Sequence, residues 1–412
     1  MSIQVPPSLH YRKYAYLWGG MMISNAGSQM QIWSLFWHVR TLSDQPAALS
    51  IIGLVRFVPV VVFALFGGLI ADRYDRRKVM FLAQSVMMLS AIALALLTWS
   101  GQIQLWHIYL ITGIQAIATV FDLPARQALI PNLLPREVLP NAFSLNSIAG
   151  SIGAIIGPAL SGLVIASLGQ GYTYFFNAIS FVAVLAAIVA MGPVAQGTSQ
   201  ANRAVPGFRA IGDGVRFILS KPIIMSSMVL DFFATFFSSA NTLLPFVARD
   251  ILHVSEIEYG WLAAAQSVGA VAAGLVLSQR ASLPRQGLTL LGAVVVFGLA
   301  TTFFGLSQVF WLTFLMLAII GGSDTVSTVI RNTVRQLQTP DDMRGRMVSI
   351  NQIFFQGGPQ LGEVEAGLVA QFFGVPMAII TGGLGCILTA GLIGRFWPQL
   401  RKYDGEVELA GA

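Results

Sequence analysis

One cysteine, Cys386, stands among 412 residues, inside an apolar run. A single thiol excludes an intrachain disulfide framework and a cysteine-based zinc site, and the residue reads as a small buried hydrophobe. Charge is scarce as well. Asp, Glu, Lys and Arg make up 10% of the chain, where an ordinary soluble domain carries about 25%. So few charges exclude a water-facing surface on a chain of this length, and 55% hydrophobic residues exclude disorder. The four histidines, His10, His38, His107 and His253, are far apart and show no metal-ligand spacing; His38 reads as an interfacial residue. No Gly-x-x-x-x-Gly-Lys loop occurs, so ATP does not drive the protein directly. No Gly-x-Ser-x-Gly elbow occurs either. No cofactor, no metal and no enzymatic reaction are therefore expected.

What the chain has instead is long apolar runs. A bilayer core needs about 20 apolar residues per helix. Such runs number about twelve, centred near Asn25, Pro59, Met88, Gln115, Ile155 and Ala183, then Thr235, Ala270, Val296, Ala318, Gly357 and Gly385. Runs such as Phe181 to Ala190 do not alternate apolar and polar, which favours helices over a closed β-barrel. The first run, from about Tyr14, exceeds a signal-peptide core and reads as a retained span.

The net charge is +6. A basic chain can bind nucleic acid, but here Lys and Arg cluster between apolar runs. Clusters lie at Arg12 and Lys13, at Arg73, Arg76, Arg77 and Lys78, at Arg126 and Arg136, and at Arg203 to Lys221. Others follow at Arg280 and Arg285, Arg331 to Arg346, and Arg395 to Lys402. If spans alternate, these fall on one side, and the positive-inside rule puts both termini in the cytoplasm. Nucleic acid is thus not an expected partner; the lipid bilayer is.

The stretch from Gly192 to Pro222 is the longest polar segment. It divides residues 1–192, an N-terminal six-helix bundle, from residues 222–412, a C-terminal bundle with a short tail. The linker, 193–221, sets Phe208, Ile211, Val215, Phe217, Ile218 and Leu219 among charges, as an amphipathic surface helix does. The halves repeat. Ser144, Asn146, Ile148, Gly153, Gly157, Gly162, Leu163 and Val164 match Ser349, Asn351, Ile353, Gly358, Gly362, Gly367, Leu368 and Val369 at a constant offset of 205, which Arg126 and Arg331 share. Two six-span halves related by a repeat are a transporter architecture.

The loop after span 2 reads Gly68-Leu-Ile-Ala-Asp72-Arg73-Tyr-Asp75-Arg76-Arg77-Lys78. It resembles the signature loop of the major facilitator superfamily, which usually has Gly where Asp75 stands. The branch it is most similar to holds the bacterial enterobactin exporter and macrolide efflux proteins, on the Ala-Asp-Arg-Tyr run and on Gln338-Thr339-Pro340 before Gly345-Arg346. The resemblance implies an all-α membrane protein with the major facilitator fold, about twelve transmembrane helices in two pseudo-symmetric six-helix bundles. It implies a monomer in the bacterial inner membrane that works on a small-molecule substrate. It also implies a cytoplasmic latch of Gly68, Asp72, Arg73, Arg76 and Asp122, in which Arg76 bonds Asp122. The alternative for these charges is topology-setting with solvated partners.

Span 5 holds Gly153-x-x-x-Gly157-Pro158-x-x-Ser161-Gly162, similar to the motif that marks antiporters in the superfamily. Its Gly-Pro core would bend the helix and pack it on the opposing half; plain close packing is the other reading. Span 4 lacks the central Arg that many proton-coupled members carry.

Charges inside a membrane are costly and are candidates by default. Arg56 sits about nine residues into span 2, ~13 Å from its outer end. Glu363 and Glu365 lie in the outer half of span 11, which faces span 2 in the superfamily. The three form a candidate outer gate; a static pair or snorkelling side chains are the alternative. Asp231 in span 7 and Asp324 in span 10 are candidates for proton coupling, since a carboxylate in a low-dielectric cavity can trade a proton. Asp324, after Gly321, Gly322 and Ser323, is also placed to bend its helix. Asn25, Gln29 and Trp33, spaced by four, share a face of span 1. With Gln115, Phe232, Phe236 and Asn241 they are candidates for a substrate cavity that mixes aromatics and amides. Helix-to-helix bonding is their alternative role.

The expected function is export of a siderophore or lipophilic drug by alternating access, with protons as coupling ion. An importer or uniporter of a metabolite, or a transport-inactive sensor of the same fold, stands as the alternative.

Overall fold

The computed structural model describes residues 6–194, 215–279, 285–340 and 344–405. Among them, long helices follow one another and no strand occurs. The first six are α1 (Arg12–Leu42), α2 (Ala47–Arg73), α3 (Arg76–Trp99), α4 (Leu105–Leu129), α5 (Leu139–Leu168) and α6 (Gln170–Ala190). The next six are α7 (Pro222–Ser238), α8 (Glu256–Ser278), α9 (Gln286–Leu306), α10 (Phe310–Leu337), α11 (Arg344–Phe373) and α12 (Val375–Phe396). Each span centre expected from hydropathy falls inside one of these helices. Nine of them, among the described residues, are long and apolar enough to cross a membrane. Of the other three, α2 contributes the apolar run Ala47–Phe63. Large apolar side chains such as Leu82, Trp311, Phe372 and Leu388 are exposed, as a lipid-facing surface requires. The chain is an all-α membrane protein.

Local chemistry sets the helix ends. Asp75, the departure from the signature loop, caps α3 by accepting the Arg77 backbone N–H at 2.9 Å. Gly169 ends α5 at φ +92° and Gly374 ends α11 at φ +87°. Both occupy the left-handed region that favours glycine, and they are repeat partners at the same offset of 205. The linker is described in part: residues 195–214, with Phe208 and Ile211, lie outside the described residues, and 215–220 are helical.

The helices gather into two compact units. Unit 1 comprises Met1–Asp44, Val55–Arg203 and Ser255–Ala264; unit 2 comprises Gln45–Leu54, Ala204–Val254 and Ala265–Ala412. The opening turns of α2 thus belong to unit 2 and those of α8 to unit 1. Unit 1 has a core of Tyr14, Leu17, Met80, Leu129, Val184 and Ile188. Unit 2 has one of Leu230, Leu290, Val294, Ile330, Val334 and Ile393.

Apolar burial gains little between helices in lipid, so close backbone approach carries much of the packing. A Cβ on Gly27 would stand 2.4 Å from Ser180 Oγ, and one on Gly269 would stand 1.8 Å from the Ala318 carbonyl oxygen. His38, expected at the interface, is buried instead. α6 covers it, with Nδ1 3.0 Å from the Tyr174 hydroxyl and the rings stacked.

Candidate functional site

Asp324, Thr328, Arg331 and Arg335 follow one another on α10 at spacings of four, three and four residues. That spacing puts them on one stripe of the helix. The stripe meets Asp231 of α7. Arg331 Nη1 lies 2.8 Å from Asp231 Oδ1, and Arg335 Nη1 lies 3.9 Å from Asp231 Oδ2. Arg331 Nη2 lies 3.6 Å from Asp324 Oδ1 and donates to Thr328 Oγ1 at 2.8 Å. Arg335 is tied further: Nε donates to the Arg331 carbonyl at 3.1 Å, Nη2 to Asn332 Oδ1 at 2.9 Å, and Nη1 to Asn351 Oδ1. Two carboxylates face two guanidiniums, so the group is formally neutral.

Burial makes this pairing obligatory. The side chains of Asp231, Arg331 and Arg335 are 2%, 2% and 4% exposed, whereas that of Asp324 is 49% exposed. An unpaired charge so deep costs several kcal/mol. The two proton-coupling candidates are thus brought together through Arg331. Arg331 and Arg335, grouped from the sequence with the topology-setting charges, are instead internal members of the cluster. Their spacing of seven and eleven residues from Asp324 is the sequence signal that places them on its stripe.

The cluster borders a cavity of about 290 Å³ within unit 2. Asp324, Asn241, Gln266, Thr235 and Ser239 are among its lining residues. Asn241 and Gln266 bond reciprocally, each amide nitrogen 3.0 Å from the other's oxygen. A second space of about 10 Å³ lies between Asp324, Ser327 and Arg331. Of the expected cavity residues, Asn241 lines the larger cavity. Phe232 stacks on Phe236 at 6.1 Å and meets Phe354 edge-on at 5.9 Å, forming an aromatic group away from the cavity lining.

In unit 1 the candidates fall differently. Gln115 accepts from Gln31 Nε2 at 2.8 Å, and Gln31 accepts from Asn177 Nδ2 at 2.6 Å. Gln31 is buried, so this relay joins α1, α4 and α6. Asn25 and Gln29 are half-buried against α5: a Cβ on Gly153 would stand 3.2 Å from Asn25 Cβ, and one on Gly157 would stand 2.5 Å from Gln29 Cβ. The Trp33 carbonyl accepts from the Tyr259 hydroxyl at 2.8 Å. Gly153 and Gly157 therefore close on α1 of their own half. Farther along, a Cβ on Gly162 would stand 2.3 Å from the Glu256 carbonyl oxygen of α8, and Gly260 approaches the Pro158 carbonyl.

Asp122 is buried and accepts from Gln84 Nε2 at 2.9 Å, with Arg126 Nε 4.0 Å away. Arg76 donates to the Ala128 carbonyl oxygen at 3.1 Å. Arg73 is exposed, and Gly68 and Asp72 lie in α2 with side chains outside the described residues. Arg56 is half-buried in α2 within unit 1. In unit 2, Glu365 is half-buried and Glu363 is buried beside Gly53.

The family profile described as transmembrane secretion effector matches residues 6–409. The enterobactin exporter EntS of Citrobacter koseri is 28% identical over 357 residues, covering 86% of this chain and 84% of that one. The multidrug efflux pump Tap of Mycolicibacterium fortuitum is 26% identical over 394 residues, covering 93% and 95%. Among solved structures, an inward-facing bacterial homolog of the human lysosomal transporter Spinster superposes with a TM-score of 0.74 at 15% identity, covering 97% of this chain and all of that one. The nucleoside transporter NupG gives 0.67 at 15% identity, covering 95% and 100%. These structural likenesses show a shared fold, and the sequence matches say whose it is: the chain belongs to the transmembrane secretion effector family of the major facilitator superfamily, a family of membrane transporters and not of enzymes.

Proposed function

We propose that this transporter exports a small organic molecule, a siderophore or a lipophilic drug, by alternating access with protons as the counter-ion. It works as a monomer in a bacterial inner membrane, with both termini in the cytoplasm. Relatives named for enterobactin export and multidrug efflux support the direction and the cargo class. One observation carries the coupling reading. Asp324 stands at the edge of the unit 2 cavity, half exposed, and reaches through Arg331 to the buried Asp231. A carboxylate in that place exchanges protons with cavity water. Its loss or gain of charge changes how strongly Arg331 is drawn toward Asp231. Asp231, enclosed between two guanidiniums, holds Arg331 in position.

The test uses inverted membrane vesicles with an imposed pH gradient and a panel of siderophores and lipophilic drugs. Gradient-driven uptake of a cargo is expected. Asp324→Asn abolishes gradient-driven uptake, and Asp231→Asn lowers it. Normal gradient-driven uptake by both variants overturns the coupling assignment. Uptake of no cargo at all overturns export.

A further inference from the structure

Two of the hydroxyls that line the unit 2 cavity, those of Thr235 and Ser239, have spent their protons on the backbone. Thr235 Oγ1 donates to the Asp231 carbonyl at 2.7 Å, and Ser239 Oγ donates to the Thr235 carbonyl at 2.6 Å. What these oxygens present to the cavity is lone pairs, since a hydroxyl has one proton to give. Asn241 and Gln266 use one amide N–H each on the other. Asp324 adds a carboxylate, and Phe297 supplies an aromatic wall. Among the described residues, no Lys, Arg or His lines this cavity. The nearest guanidinium, Arg331, lies behind Asp324, its Nη1 already at 2.8 Å from Asp231. The cavity therefore sets the lone pairs of Thr235 and Ser239 beside the Asp324 carboxylate and is negative at one edge.

We infer that the unit 2 cavity is a binding site for a protonated organic amine, whose ammonium is held by Asp324 with Thr235 and Ser239 as further acceptors. An ammonium carries two or three N–H donors and a positive charge, which complements this lining. A catecholate or carboxylate anion would bring more acceptors and a like charge to Asp324. The volume of about 290 Å³ sits at the small end of ligand pockets, which run from about 300 Å³. It suits an amine with one aromatic or alkyl body set against Phe297, where a cation also gains from the ring face. A carboxylate that holds an ammonium has no place for a proton at the same oxygens, so the two occupants exclude one another. The inference rests on the export reading in one respect, that the amine is the cargo, and it narrows that cargo to cationic molecules.

The test is fluorescence anisotropy on the purified full chain with two dansyl probes. Dansylcadaverine carries a primary ammonium and dansylglycine a carboxylate. The wild-type protein is expected to bind dansylcadaverine at least about tenfold more tightly than dansylglycine, the scale of one charge-assisted hydrogen bond. Asp324→Asn erases that preference, and Asp324→Glu keeps it. The wild-type preference needs no variant, so it decides the matter even if Asp324→Asn is unstable. Equal or reversed preference in the wild type overturns the site, as does unchanged dansylcadaverine binding by Asp324→Asn. If vesicles carry an anionic siderophore and the wild type prefers dansylglycine, export stands and the ammonium site falls. If the ammonium preference holds while vesicles take up no cargo, the site stands and the export reading falls.

Discussion

Arg126 and Arg331 are repeat partners, yet they live in different surroundings. Arg126 in unit 1 is 26% exposed and 4.0 Å from Asp122. Arg331 in unit 2 is 2% exposed and 2.8 Å from Asp231. The repeat partners Asn146 and Asn351 diverge in the same way. Asn146 accepts from the Tyr14 hydroxyl at 3.3 Å, and Asn351 accepts from the Arg335 guanidinium. Unit 1 is joined by neutral amides, the Gln115–Gln31–Asn177 relay. Unit 2 is joined by charges. A duplicated bundle can keep its helix packing while one copy takes on more buried charge than the other. Unit 2 holds the larger group of buried charges, Asp231, Arg331 and Arg335, and costly groups persist where they are used.

The largest effect should come from breaking the charge pairing. Arg331→Met leaves Asp231 and Asp324 without their shared partner and should cost about 3–5 kcal/mol, read by thermal unfolding in detergent. Arg126→Met, at the partner position, should cost under about 1 kcal/mol. Equal losses would erase the contrast between the units.

Backbone approach offers a finer probe. A Cβ on Gly362 would stand 2.1 Å from the Phe236 carbonyl oxygen, whereas one on Gly157 has its nearest atom, Gln29 Cβ, at 2.5 Å. Gly362→Ala should destabilise by about 1–3 kcal/mol and Gly157→Ala by less, since the nearest atom at Gly157 stands farther off, at 2.5 Å against 2.1 Å. Gly150, with open space around its Cβ position, should accept Ala without loss. A larger loss at Gly157 than at Gly362 would show that unit 1 is the tighter of the two.

The smallest expected effect concerns the amide relay. Gln31→Leu should cost about 1–2 kcal/mol and leave gradient-driven uptake in vesicles intact, because Gln31 joins helices. Loss of coupling in this variant would move a share of the mechanism into unit 1.

Several particulars were legible before any coordinate. The embedded carboxylates Asp231 and Asp324 announced themselves because a lone charge in an apolar run is rare. The glycine spacing in span 5 announced close packing. Its partner was not legible: Gly153 and Gly157 meet α1, and Gly162 meets α8. The role of Asp75 as a cap was local and therefore readable in principle, from an acid just before a helix. Arg331 and Arg335 were hidden by their neighbours, since a cation near a span end looks like a topology signal until its burial is known.

Hydropathy over some twenty residues is a local property, and so the order of the helices, their bilayer setting and their duplication were written in the chain itself. Which polar groups meet is not local. Asp231 finds Arg331 about a hundred residues away, and the cavity beside them exists only where α7, α8, α9, α10 and α11 leave space between their side chains. That pairing was decided by the tertiary structure, because a buried charge is stable only beside a partner that folding brings to it.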